Sequence, residues 1–458
     1  IMSAALAGCA PSKDTSSKDA SSNSGAAPTD TSDPQNTSTP DLASAEDTTP
    51  VTIKTTFYPN EVSPEIIADF QKQYPYINIE VVSADNAKLM AMLAAGNGVD
   101  LIRTQGISMV PSYVARGLAL PLDSYLENST VLKKDDFAAV QALYQFDGNV
   151  QGQGPVYGFV KDWSVDTTLW INAKIFKDAG VPIPSTDTPL TYAQIADMAR
   201  QISQKSNGKI FGFVPNLNTS TIAINLASLG KSLWSDDLKT SNFSSPEAKE
   251  ILQYYVDLQK EGVIPSSAHP VEDGWGGVDF QSDKIGIIQQ GYWYGGYLKS
   301  NEALKDRLSD FIMLPSPSWE DGKPIPAVTG GTGAIVYAKT EHPDAVWKFC
   351  EYFFGGKPAE ERAKGGWGLP NLKSMMNLLP SETDFEKSIN AVNDLEVQEA
   401  DLSLIKVNKW AGEAATDPIL TKYLDPVTYG KSTLDEATAS MDKDISNVIL
   451  DNMDIAGE

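Results

Sequence analysis

The sequence predicts an α/β protein of two lobes, each a mostly parallel sheet flanked by helices, and three observations carry that prediction. Apolar residues switch repeatedly between a period of two and a period near 3.6, as strands alternating with helices require. The same grammar returns later in the chain without a repeated sequence, which argues against a solenoid. With 458 residues, 41% of them hydrophobic and 21% charged, the chain can bury sizeable cores of ordinary globular composition.

Taken in order, Val51, Ile53, Thr55 and Phe57 alternate with polar neighbours as a strand does. Ser63-Pro64 then offers an N-cap followed by proline at the first helical position, with Ile67, Phe70 and Tyr74 at helical spacing. Ile77, Ile79 and Val81 form a second strand, residues 89–95 return to helix, and a Gly-Asn-Gly break precedes an apolar run at 99–102. A second stretch begins with a strand at 169–172 and a helix at 173–179. Thr191 then caps a helix carrying Ile195, Met198 and Ile202, and a strand follows at 210–214. Ser245-Pro246 caps another helix, with Ile251, Tyr255 and Leu258 on one face. Strands at 285–288 and 334–337 lead into a helix over 346–354, and the chain beyond Leu372 reads as mainly helical. In such folds the ligand crevice lies beyond the carboxyl ends of the strands.

Sixty acidic residues against 36 basic give a net charge of −24, a field that repels phosphate backbones and anionic lipid headgroups. No nucleic-acid partner is expected. Two histidines (His269, His342) and two cysteines (Cys9, Cys350) cannot build a His/Cys metal cluster or a disulfide framework, so no metal and no cofactor are expected. Neither histidine has a nucleophile pattern beside it. What the chain holds in surplus is aromatic surface: nine Trp, 17 Tyr and 15 Phe.

Residues 1–9 read as the remnant of a lipoprotein signal peptide, and Leu6-Ala7-Gly8-Cys9 resembles a bacterial lipobox whose cysteine takes the lipid. Residues 10–50 hold no aromatic and one large aliphatic, Leu42, too little apolar area to offset the entropy of ordering, so they are expected to form a disordered tether. No stretch approaches the roughly 18 consecutive apolar residues that a membrane-spanning helix needs.

The order of local signatures carries a resemblance. Phe57-Tyr58-Pro59 with the helix ending Tyr74-Pro75 comes first, then Gly96 to Ile102, then Gly117-Leu118-Ala119-Leu120-Pro121-Leu122. Tyr157-Gly158-Phe159-Val160 leads to Leu169-Trp170-Ile171-Asn172, and Ala179-Gly180-Val181-Pro182 follows. Lys284 to Ile288 with Gly291-Tyr292-Trp293, Thr329-Gly330-Gly331 and Ser432 to Ala437 complete the series. Together these resemble the extracellular solute-binding proteins of bacterial ABC importers, of the maltose- and oligosaccharide-binding type. The resemblance implies a type II periplasmic-binding-protein-like fold with a hinge, its N-terminal lobe formed by 51–164 plus 314–356 and its C-terminal lobe by 165–313 plus 357–458. It further implies a monomer, lipid-anchored through Cys9 at the outer face of the cytoplasmic membrane of a Gram-positive cell. Such a protein captures an oligosaccharide by lobe closure and delivers it to membrane permease subunits, without turnover. Arg103, where the family usually has an apolar or aromatic residue, Thr332 and Trp367 depart from its pattern.

A neutral sugar needs flat aromatic faces for its C–H surfaces and planar polar groups for its hydroxyls. Trp293, among Gly291, Tyr292, Gly295 and Gly296, matches the position at which the family places a tryptophan in its sugar cleft, and Tyr292 accompanies it. Trp163 and Asp162 stand at the first lobe crossing; Trp367 and Trp275 lie in glycine-flanked loops. Asn60 and Glu61 after the first strand, Gln105 after the third, and Asn216 and Asn218 after the 210–214 strand should project at the crevice. Core packing for the aromatics and turn formation for the polar residues are the competing readings. Trp234, Trp347 and Trp410 are expected in core or surface positions. Two other functions share these features: a secreted glycoside hydrolase or lyase, which needs two carboxylates about the scissile bond, and a sugar-sensing module that serves a sensor kinase.

Overall fold

The computed structural model describes residues 48–458 apart from 84–85, 97, 320–321, 329–330, 400–405 and 457–458. Cys9 and residues 10–47 of the expected tether lie outside the described residues, as do Asn97, Thr329 and Gly330 of the quoted motifs. The strands among the described residues are β1 (Val51–Thr55), β2 (Ile77–Val81), β3 (Leu101–Thr104), β4 (Gln145–Phe146), β5 (Gln151–Val156), β6 (Gly158–Asp162), β7 (Leu169–Asn172), β8 (Phe211–Val214), β9 (Ile285–Gln289), β10 (Phe311–Leu314) and β11 (Thr332–Val336). They assemble into a five-stranded sheet in the order β2-β1-β3-β11-β6, a four-stranded sheet in the order β10-β7-β9-β8, and the short ribbon β4-β5.

Each sheet is the floor of one lobe, and helices cover both of its faces. Alternation along the strands makes this visible: Phe159 of β6 and Ala334 of β11 join one core of the first lobe, while their neighbours Val160 and Ile335 join the other. In the second lobe Leu169 and Ile171 face one core and Trp170, fully buried between them, faces the other. Burying a side chain of that size stabilises the fold by roughly 2–3 kcal/mol, so the sheet registers are strongly specified.

The caps foreseen in the sequence form. Ser63 accepts the amide of Ile66 ahead of the Pro64–Gln73 helix, and Ser245 accepts that of Ala248 ahead of Pro246–Lys260. Thr191 builds a full capping box: its hydroxyl accepts the Gln194 amide at 3.2 Å, and the Gln194 side chain accepts the Thr191 amide at 2.8 Å. Beyond residue 372 the long elements are the helices Asp384–Glu399, Glu413–Thr428 and Leu434–Ala456.

Three features differ from the sequence expectation. The sheets are mixed rather than mostly parallel: β1 runs parallel to β2 and β3, and β8 to β9, but β11 is antiparallel to β3 and β6, and β7 is antiparallel to β9 and β10. In the first sheet β11 alone runs against the other strands, and in the second β7 alone does, so β6 and β10 keep the direction of the strands beyond them. The helix expected at 346–354 starts earlier, at Pro343, and ends at Cys350 in a wider turn over Glu351–Gly355. Finally, the helix Lys357–Gly365 and the turn Lys373–Leu378 pack on the first lobe, contrary to the boundary at 357. Ala359, Ala363, Leu372 and Met375 form a small core against Phe137, Ala138 donates its amide to Asn371 O at 2.7 Å, and Lys373 donates to Asp136 O at 2.7 Å. Helical periodicity names a buried face but not which sheet covers it.

Candidate functional site

A cleft of about 870 Å³ opens where the connections pass between the two sheets. Its first-lobe side is built from strand ends. Asn60 and Glu61 lie in the turn after β1, Arg103 is on β3 and Gln105 follows it, and Lys161 and Asp162 end β6; all line the cleft. On the second-lobe side, Asn216 and Asn218 follow β8, Gln290 follows β9, and Trp293 opens the helix Trp293–Lys299. Trp163 and Trp367 come from two of the connections, which are joined by paired hydrogen bonds: Trp163 N donates to Leu369 O at 3.1 Å, and Leu369 N to Trp163 O at 2.7 Å. Gly368 sits between those tryptophan-bearing stretches with φ of 137°, and a Cβ there would stand 3.0 Å from that of Asp162, so only glycine lets the two connections lie this close.

Charge on the first-lobe side is tightly paired. Glu61 receives the Arg103 guanidinium in a fork, Nε at 2.6 Å and Nη2 at 3.2 Å, and also the Tyr58 amide at 3.1 Å and the Lys161 ammonium at 3.2 Å. Burial pushes its pKa up, but Lys161 and Arg103 together outweigh burial and hold the carboxyl below its ordinary value. Lys161 also pairs with Asp162. Behind them Arg362 stacks on the Phe353 ring at 4.5 Å and donates Nη2 to Phe353 O at 2.8 Å, while its Nε and Nη1 are buried without a hydrogen-bond partner. Burial lowers Arg362 to about 10, and Asp162 and Glu61 pull the other way. At the opposite margin Glu413 is pushed up by burial, opposed by the Ser220 hydroxyl and aided by Asp417.

Nine of the eleven ligand-contact residues read from the sequence share this cleft: Trp293, Trp163, Trp367, Asp162, Asn60, Glu61, Gln105, Asn216 and Asn218. The other two do not line it. Tyr292 is fully buried and donates its hydroxyl to Asn390 Oδ1 at 2.8 Å, because the helix start turns it into the second-lobe core. Trp275 lies one layer back, its ring 5.7 Å from that of Trp293 and 5.3 Å from that of Tyr297, where it supports Trp293 rather than facing the cleft. The glycines around Trp293 also serve packing: a Cβ on Gly295 would meet Ile389 at 2.7 Å, and one on Gly296 would meet Gly366 O at 2.6 Å.

Several polar candidates already have structural partners. Asn218 caps the helix Thr219–Ser228 by accepting the Thr221 amide at 2.8 Å, and the Trp163 indole N–H donates to Pro370 O at 3.1 Å. Their exposed faces remain on the cleft. Sequence reading did not single out Tyr58, Lys161, Gln290, Arg362 or Glu413 as lining residues. A signal existed for Gln290, which directly follows β9, and for Tyr58, in the segment just beyond β1; Arg362 and Glu413 sit on helices that reach the cleft only through tertiary packing. Trp234, Trp347 and Trp410 are all buried. Among the described residues no group of three or more His, Cys, Asp and Glu is arranged to hold a metal ion, and no helix is long and apolar enough to cross a membrane.

Residues 58–358 match the model of the bacterial extracellular solute-binding protein family. A curated arabinooligosaccharide-binding protein of Halalkalibacterium halodurans is 22% identical over 311 residues, and the match covers 65% of this chain and 65% of that protein's length. Among solved structures, an ABC substrate-binding protein from Listeria monocytogenes in complex with cycloalternan superposes with a TM-score of 0.71 at 20% identity, covering 88% of this chain and 99% of that one. The GacH receptor of Streptomyces glaucescens, solved unliganded and with acarbose, gives 0.66 at 20% identity, with 87% of this chain and 98% of that one covered. These structural likenesses establish the two-lobed binding-protein fold.

Proposed function

Because the chain belongs to the bacterial extracellular solute-binding protein family, we propose that it captures a carbohydrate, an oligosaccharide, between its lobes and delivers it to the permease of an ABC importer. The observation that carries this reading is the composition of the cleft. Trp163, Trp293 and Trp367 line one space with Asn60, Gln105, Asn216, Asn218 and Gln290, aromatic faces for C–H surfaces and amides for hydroxyls. The relatives support the ligand class, since those reported above are named for, or solved with, oligosaccharides or acarbose. Lobe closure would desolvate both sets of contacts at once, and the ligand's preference for the closed form would be the signal read by the membrane partner.

The protein works in this proposal as a binder without turnover, outside the membrane. Lipid carried by Cys9 anchors it, with residues 10–50 as the leash. Thermal unfolding against maltose-, mannose- and arabinose-based oligosaccharides tests the reading. The cognate sugar at a hundred times its Kd should stabilise the protein by about 2.7 kcal/mol. No shift with any sugar, or release of new reducing ends, would overturn it.

A further inference from the structure

On the first-lobe side of the cleft Tyr58 is unusual: it is 57% exposed, yet its ring is held from behind. The Arg103 guanidinium carbon lies 4.5 Å from the ring centroid, and the Arg103 side chain is itself only 13% exposed. Arg103 therefore occupies the inner face of the ring and leaves the outer face open. Glu61 fixes both partners, taking the guanidinium in a fork while accepting the Tyr58 amide at 3.1 Å. The turn closes on the same residue, since Glu61 and Val62 donate their amides to Tyr58 O at 2.9 and 3.1 Å. Lys161, 3.2 Å from Glu61, holds the carboxylate from the other side.

From this geometry we infer that Tyr58 is the first-lobe stacking platform for a sugar ring, with Arg103 and Glu61 as positioning residues that hold the phenol ring flat before ligand arrives. This rests on the proposed carbohydrate function and adds a contact to that same cleft. An exposed aromatic side chain normally loses rotamer freedom when a ligand stacks on it; a cation on its back face removes most of that cost in advance. The arrangement also assigns Glu61 differently from the sequence reading. Its oxygens are committed to Arg103, Lys161 and the Tyr58 amide, so it orients the platform instead of accepting a sugar hydroxyl.

The test is calorimetric titration of the cognate oligosaccharide into wild type, Tyr58→Phe, Tyr58→Ala, Arg103→Met and the double variant Tyr58→Ala/Arg103→Met, with the ligand-free melting temperature of each recorded. Tyr58→Ala should weaken binding about tenfold or more, and Tyr58→Phe by no more than about threefold, because the ring face and not the hydroxyl makes the contact. Arg103→Met should weaken binding in the wild-type background and have little further effect once the ring is gone, the coupling expected of a residue acting through another. Unchanged affinity in Tyr58→Ala overturns the platform while leaving the proposed function standing. A wild type that binds no oligosaccharide overturns both.

Discussion

Trp293 shows how much a single residue's chemistry can reveal. A tryptophan among glycines, just after a strand, was legible as a cleft residue, and the structure places it there with Trp275, Tyr294 and Tyr297 packed around it. Its neighbour Tyr292 has the same local context and points the other way, into the core. Sequence does not separate the two, since one residue's step around a helix start of about 100° decides which side chain meets solvent. Removal of a supported aromatic from the centre of a binding site commonly costs 2 kcal/mol or more. Trp293→Ala is therefore expected to weaken the cognate oligosaccharide by roughly thirtyfold in calorimetry while the far-ultraviolet circular dichroism stays unchanged. Unaltered affinity would remove Trp293 from the site.

At the scale of elements, caps were the most legible feature, because Ser63, Thr191 and Ser245 act within a few residues of their own position. Contacts between helices were not. The helix that begins with Trp293 ends at Lys299, whose ammonium pairs with Glu386 in the first turn of Asp384–Glu399. Glu386 also accepts the amides of Glu382 and Thr383, each at 3.0 Å, completing a capping box with Thr383. Burial raises its pKa, but Lys299 and the two amides prevail and hold it down at about 2. A carboxyl depressed in this way stabilises the fold above its unfolded value of roughly 4.3, and that contribution is lost as pH falls through about 2. Glu386→Gln should thus lower the melting temperature at pH 7, and the gap to wild type should close between about pH 4 and pH 2. A gap that stays constant with pH would show that the charge of Glu386 does not carry the effect.

For the molecule as a whole, the two sheets are joined by connections that cross the cleft, and residues on those connections line it: Trp163, Ser164 and Asp166 after β6, and Trp367 before the C-terminal helices. A ligand touching both sheets and the connections would favour whichever lobe arrangement closes on it. Small-angle scattering with and without saturating oligosaccharide should show a smaller radius of gyration in the complex; an identical radius would argue that capture occurs without closure. The net charge of −24 belongs mostly to residues 51–458, since residues 10–50 contribute seven acidic and two basic side chains. Within the cleft Glu61 and Asp162 are matched by Arg103 and Lys161, but Glu65, Asp69, Asp166, Glu361 and Glu413 outnumber Lys357 and Arg362 around them, so the lining keeps the acidic sign of the chain.

The sequence by itself determined the alternation of strands and helices, their caps, the scarcity of histidine and cysteine, and most of the residues at the strand ends that meet in the cleft. These follow from local periodicity and from the rule that crevices form beyond the carboxyl ends of strands. Only the tertiary structure decided that the crossing strands pair antiparallel, that Lys357–Gly365 covers the first lobe, that Tyr292 is core, and that Glu61 serves Arg103 and Tyr58. Each of those depends on partners far away along the chain: Arg103 meets Glu61 across 42 positions and Asn371 meets Gln141 across 230. Local propensity carries no information about such pairings, because they form only when separate elements bury their faces against one another.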